Sequence, residues 1–170
     1  MALIVQTSGV VGTLLAATIA VRSYVNSNKR AEDARARELQ TRQAQLFMGL
    51  YEKFSTPEYV KYFTDVANGP SFEDYASLKK KFAEDQEYGS EFNVLVGYYE
   101  GIGTLVKEDL IDIRYVALLM AGVTRKFWEK IAPFIDDLRR DFHFPRYMSE
   151  TEYLYDRLTE YLEQHPELKT

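Results

Sequence analysis

Ala2 to Val21 carry no charged side chain. An uncharged apolar run of about 20 residues is long enough to cross the hydrocarbon core of a bilayer as a helix. Arg22, Lys29, Arg30, Arg35, Arg37 and Arg42 follow it. Basic residues gathered on one flank of a span set its orientation, with the basic flank in the cytoplasm. The pattern predicts a single-pass anchor in the plasma (cytoplasmic) membrane, with the N-terminus out and the C-terminal domain cytoplasmic. A cleaved signal peptide is the first rival, but it places its basic residues before a shorter apolar stretch. A buried soluble helix is the second, and it needs a larger apolar core than the rest of this chain offers.

The run is only moderately apolar, because Gln6, Thr7, Ser8, Thr13 and Thr18 interrupt it. Ser8, Gly12, Ala16 and Ala20 recur at every fourth position, which lines four small side chains along one ridge of a helix. Helices in lipid associate where small residues let their backbones approach. The ridge is therefore the expected docking face for another membrane helix. Arg22, Lys29 and Arg30 form the expected collar for anionic lipid headgroups at the cytoplasmic face.

Charge divides the chain. Residues 22–42 hold six bases and three acids, and the whole chain is −5, which leaves −8 on residues 43–170. An acidic domain is a poor partner for nucleic acid, whose affinity rests largely on phosphate neutralisation. The absence of Cys excludes disulfides, thiolate metal sites and a cysteine nucleophile. Thirteen Tyr and ten Phe supply bulky core and contact residues.

Everything after the anchor reads as helix. Asn26 to Gln45 are polar nearly all round and rich in Ala, Arg, Glu and Gln, good helix formers, so a basic stalk over 23–42 should continue the anchor without a break. From Leu39 an apolar face appears through Leu46, Phe47, Leu50, Tyr51 and Phe54. A short helix is predicted after the stop and start at Ser55-Thr56-Pro57-Glu58, with Asn68-Gly69-Pro70 ending it. Further helices are predicted from Phe72 to about Ala83 with Ser71 as cap, and from Glu91 to Lys107 after a break at Tyr88-Gly89-Ser90. A long helix capped by Asp112 should run to Phe142, kinked near Glu129 by Pro133. A last helix should start at the capping box Ser149-Glu150-Thr151-Glu152 and end near Gln164. The predicted architecture is all-α: anchor 1–22, stalk 23–42, a cytoplasmic helical bundle of about five helices over 43–165, and a tail 166–170.

The stretch Asn93 to Glu100, then Gly101-Ile102, the acidic turn Glu108-Asp109, Phe127-Trp128-Glu129, Pro133 and Arg139 resembles a group of short, membrane-anchored helical proteins catalogued as domain of unknown function 4760. The resemblance covers Leu39 to Leu162. It implies an anchored all-α fold and transfers no catalytic residue.

Motifs for chemistry are missing from the sequence. His143 and His165 lack the Glu-x-x-His spacing of a di-iron bundle, and neither a zinc helix nor a phosphate loop is present. Gly97, Gly101 and Gly103 read as room for helix packing. The Lys79-Lys80-Lys81 run reads as a solvated face. Glu100 follows Tyr98-Tyr99 among apolar neighbours, and a carboxylate there needs a partner; Arg125 or Arg139 is the expected one, and the three form a candidate buried polar site. The expected function is a non-catalytic accessory subunit of a membrane protein complex, with no cofactor, metal or small-molecule substrate. The alternatives are a tethered adaptor for a soluble partner and a small-ligand sensor or enzyme with a pocket near Glu100 and Trp128.

Overall fold

The computed structural model describes the backbone of residues 2–168 and the side chains of residues 21–168. Its described residues contain helices and turns but no strand. The α-helices are α1 (Ala2–Phe54), α2 (Pro57–Ala67), α3 (Tyr75–Glu84), α4 (Gln86–Lys107), α5 (Ile113–Leu119), α6 (Ala121–Ile131), α7 (Ile135–Asp141) and α8 (Ser149–Gln164). Short 3-10 turns lie at Ala132–Phe134 and Pro166–Leu168. The chain divides into two units, Met1–Arg42 and Gln43–Thr170.

In the first unit every described side chain, from Val21 to Arg42, is exposed. No Pro or Gly interrupts this stretch, and α1 runs unbroken from Ala2 to Phe54, as one continuous helix was expected to. Glu38 and Arg42, one turn apart, pair at 2.6 Å. Apart from Val21 and Arg22, the expected anchor over residues 1–22 lies outside the residues whose side chains are described. So do Ser8, Gly12, Ala16 and Ala20. Among the described residues no helix is long and apolar enough to cross a membrane.

The second unit is organised around α4, which packs most extensively on α8 and also on α2 and α3. Phe92, Leu95, Tyr99 and Ile102 of α4 are fully buried. Tyr99 stacks on Phe127 of α6 with ring centroids 4.6 Å apart. α8 answers with Leu154, Leu158 and Leu162, one per turn and all buried. Phe47, near the end of α1, is buried and stacks on Tyr115 of α5 at 5.6 Å. Trp128 is buried too and faces Tyr155 of α8.

Local chemistry sets the helix starts. The Thr56 hydroxyl caps α2, with Pro57 in the first turn. Asp112 caps α5, accepting the Arg114 N–H at 2.9 Å. α3 starts three residues later than the predicted Phe72, and Asp74 rather than Ser71 is its cap. Asp74 and Ser77 form a reciprocal capping box, and Phe72 lies before the helix, its ring against Tyr88 and Phe134. The predicted break at Tyr88-Gly89-Ser90 is absent. Asp85 ends α3 and caps α4 by accepting the Tyr88 N–H at 3.0 Å, so the helix starts earlier and runs through Gly89.

The predicted long helix from Asp112 to Phe142 is three helices. Pro133 has no N–H to give a helix, and the chain passes through the 3-10 turn Ala132–Phe134 there. The other break falls at Met120, which leaves helical geometry at φ −132 and ψ 7. The break buries Val116, Ala117 and Met120 on one side and Thr124, Phe127 and Trp128 on the other, and leaves Leu118 and Leu119 exposed.

Candidate functional site

Two polar clusters of the second unit stand out. The first surrounds Glu100. Helix α8 begins without a side-chain cap of its own: its N-cap, Met148, sits in the left-handed region at φ 57. Ser149 is inside the helix, and the predicted Ser149 capping box does not form. The first turn of a helix presents unpaired backbone N–H groups and the positive end of the dipole. Glu100 of α4 supplies the missing acceptor. Its Oε1 accepts the Thr151 N–H at 2.7 Å and the Thr151 hydroxyl at 2.9 Å.

Gly103 makes this reach possible. A Cβ at position 103 would lie 2.0 Å from the Glu150 carbonyl oxygen, so only glycine lets the α8 backbone sit this close to α4. One turn further on, Lys107 pairs with Glu150 at 2.8 Å. That hydrogen bond holds the Glu150 carboxyl below its ordinary value of 4.5. Arg139 comes to the same helix end by another route, donating to the Tyr147 carbonyl at 3.1 Å and to Glu152 at 2.7 Å.

The structure therefore does not gather Glu100, Arg125 and Arg139 around one carboxylate. Glu100 takes a helix N-terminus as its positive partner. Arg139 pairs with Glu152, and Arg125 lies on the surface of α6, paired with Glu129 at 3.2 Å. The Tyr147 hydroxyl is buried without a hydrogen-bond partner. Burial, aided by the Glu100 charge, pushes its pKa up to about 12.

The other residues singled out from the sequence have local roles. Lys79, Lys80 and Lys81 pair with Asp141, Glu84 and Asp85 respectively. His143 is exposed, with Nδ1 3.0 Å from the Asp141 carbonyl. His165 stacks on Tyr161. Arg22, Lys29 and Arg30 are exposed on α1.

The second cluster joins α2 to α4 and was not singled out from the sequence. The Lys61 ammonium donates to Glu87 at 2.9 Å, to Asp65 at 3.0 Å and to Glu91. These hydrogen bonds, Glu91 first, hold its pKa well above the ordinary lysine value. Glu91 is 4% exposed, a carboxylate buried against one ammonium. These groups line a cleft of about 610 Å³ together with Lys81, Asp85 and Tyr88. Lys81 pairs with Asp85 at 2.8 Å and lies over the Tyr88 ring. Lys130 donates to the carbonyl of Gly69, another lining residue, at 2.9 Å. The legible signal was two four-residue spacings, Lys61 with Asp65 and Glu87 with Glu91. Nothing in the sequence said that the two turns meet. Among the described residues no group of His, Asp and Glu side chains could hold a metal ion.

A family model described as a domain of unknown function (DUF4760) matches residues 3–158. No curated protein and no solved structure matches the chain.

Proposed function

We propose, from the premise that the chain belongs to the DUF4760 family, that it is a non-catalytic accessory subunit of a membrane protein assembly, tethered by its N-terminal run. The observation that carries this reading is the contrast along α1. Ala2 to Val21 are uncharged, and residues 22–42 are basic and exposed in every described side chain. That is the arrangement of a membrane span with a cytoplasmic collar.

In this reading Ser8, Gly12, Ala16 and Ala20 dock against a partner helix. Arg22, Lys29 and Arg30 meet anionic headgroups, and residues 43–165 present a helical domain to the cytoplasm. The absence of a catalytic role is part of the proposal. It is supported by the Glu100 carboxylate, which is engaged in holding α8 to α4. The adaptor reading has one observation in its favour: Leu110, Leu118 and Leu119 are each about half exposed, apolar side chains left at the surface.

Purification in mild detergent, followed by sizing, tests the choice. Gly12→Leu raises apolarity, so the span should still insert, while adding bulk where a neighbouring backbone would approach. The variant should stay in the membrane fraction and drop out of the assembly, with Val11→Leu behaving as wild type. Loss of neither variant from the assembly would leave the anchor as a tether and favour the adaptor.

A further inference from the structure

Arg22, Ser23, Asn26, Ser27 and Arg30 line a groove of about 500 Å³ along one side of α1. We propose that this groove seats the terminal phosphate of a phosphomonoester lipid, the class of phosphatidic acid. The proposal rests on the tethered reading and names which anionic head group the collar takes.

The lining set gives the chemistry. Two guanidinium groups and an amide supply N–H donors, two hydroxyls can add O–H donors, and no carboxylate lies among them. All five side chains are exposed. Residues 1–31 contain no acid, and the first ones are Glu32 and Asp33. Among the described residues of α1 the ion pair is Glu38–Arg42, about two turns beyond Arg30. The charges of Arg22 and Arg30 are therefore not answered by a carboxylate of their own helix, as that of Arg42 is.

Charge and oxygen count give the class of anion. A phosphate monoester carries about −1.5 to −2 charge at pH 7 and three acceptor oxygens. A phosphodiester head group offers fewer oxygens and less charge. Guanidinium meets phosphate oxygens with paired, charge-assisted N–H bonds. Two guanidinium groups match the charge of one monoester, and Asn26 between them can donate to its remaining oxygen.

Position gives a lipid rather than a soluble phosphate. With Ala2 to Val21 filling the hydrocarbon core, Arg22 stands at its cytoplasmic boundary. Each polar layer of a bilayer is about 5–8 Å deep, and Arg22 to Arg30 covers about 12 Å of helix. Arg22 and Asn26 then lie within the layer. Side chains of a helix tilt toward its N-terminus, so the long side chain of Arg30 leans back toward the same layer.

The test reconstitutes the full chain in phosphatidylcholine nanodiscs that contain phosphatidic acid and phosphatidylserine at equal mole fraction. Native mass spectrometry then reads the lipid that each chain retains. One phosphatidic acid per chain is expected, in preference to phosphatidylserine. Arg22→Gln combined with Arg30→Gln should lower its retention by about fivefold or more, and Asn26→Ala by about twofold. Lys29, Arg35 and Arg37 remain in the double variant to keep its orientation. Arg42→Gln removes a base that is already paired and should change nothing, and excess inorganic phosphate should not displace the lipid. Equal retention of the two lipids, an equal loss with Arg42→Gln, full retention by the double variant, or displacement by inorganic phosphate would each overturn the proposal. Alkaline extraction of the same membranes separates this from the reading beneath it. A wild-type chain that stays in the membrane but shows no lipid preference overturns the proposal alone, whereas a chain that is released overturns the tether as well.

Discussion

Residues 21–42 of α1 and helix α8 are both rich in charge, yet one is exposed at every described position and the other is packed. The difference lies in placement, not in polarity. α8 carries Thr151, Leu154, Leu158 and Leu162 at three- and four-residue steps, and all four are buried. Between Val25 and Leu39 the stretch in α1 has no apolar residue larger than Ala, so no stripe forms. A helix without a stripe gains little from burial. Its charged side chains stay exposed, whereas Glu150 and Glu152 at the start of α8 are engaged by Lys107 and Arg139.

The comparison breaks most visibly at its apolar stripe. Leu158→Ala should cost about 2–5 kcal/mol, the usual range for a fully buried leucine, in urea unfolding of the detergent-solubilised chain. A loss below about 1 kcal/mol would mean that the stripe does not hold α8. Gly103→Ala comes next, at about 1–3 kcal/mol, because its Cβ would collide with the Glu150 backbone and force the helices apart. An unchanged midpoint would show that α8 can shift without penalty.

Glu100→Ala should cost about 1–2 kcal/mol, the scale of a lost helix cap. Amide exchange should speed up at Thr151 before it does at Leu158. Uniform acceleration along α8 would show that Glu100 does not act as a local cap.

Alkaline titration sharpens the same contrast. Burial pushes the phenols of Tyr88 and Tyr147 up to about 12 from the ordinary 10.0. The folded state keeps these protons where the unfolded chain has released them. Their contribution to stability is therefore complete below pH 10.0 and is lost as pH rises towards about 12. Phenolate absorbance should show a late component that coincides with the loss of helix. Ionisation of every tyrosine in one early step would contradict the burial.

At the small end, Leu39→Ala in the exposed stretch should move stability by no more than about 0.5 kcal/mol. A larger loss would reveal a partner on that surface.

Local rules were enough to read the start of α2 at Pro57, the cap at Asp112 and the end of α8 from the sequence. They were also enough for Phe47, Leu50, Tyr51 and Phe54 of the apolar face at the end of α1, but not for Leu39 and Leu46, which are exposed. They failed where a distant residue decides. The cap of α8 is Glu100, fifty-one positions away, and no local motif points to it. The break at Met120 has neither Pro nor Gly at that residue and follows from which faces the core accepts. Gly89 looked like a stop, but the Asp85 cap and buried Tyr88 carry α4 through it. Lys61 and Glu91 carry no local signal as a pair, because only the meeting of α2 and α4 makes them partners.

We propose that the uncharged run is a membrane anchor that leaves the helical domain in the cytoplasm. The chain has no Cys, so single cysteines at positions 2 and 170 can be labelled without background. A membrane-impermeant maleimide applied to intact cells should label position 2 at once and position 170 only after permeabilisation. Labelling of position 170 in intact cells, with position 2 protected, would contradict the account.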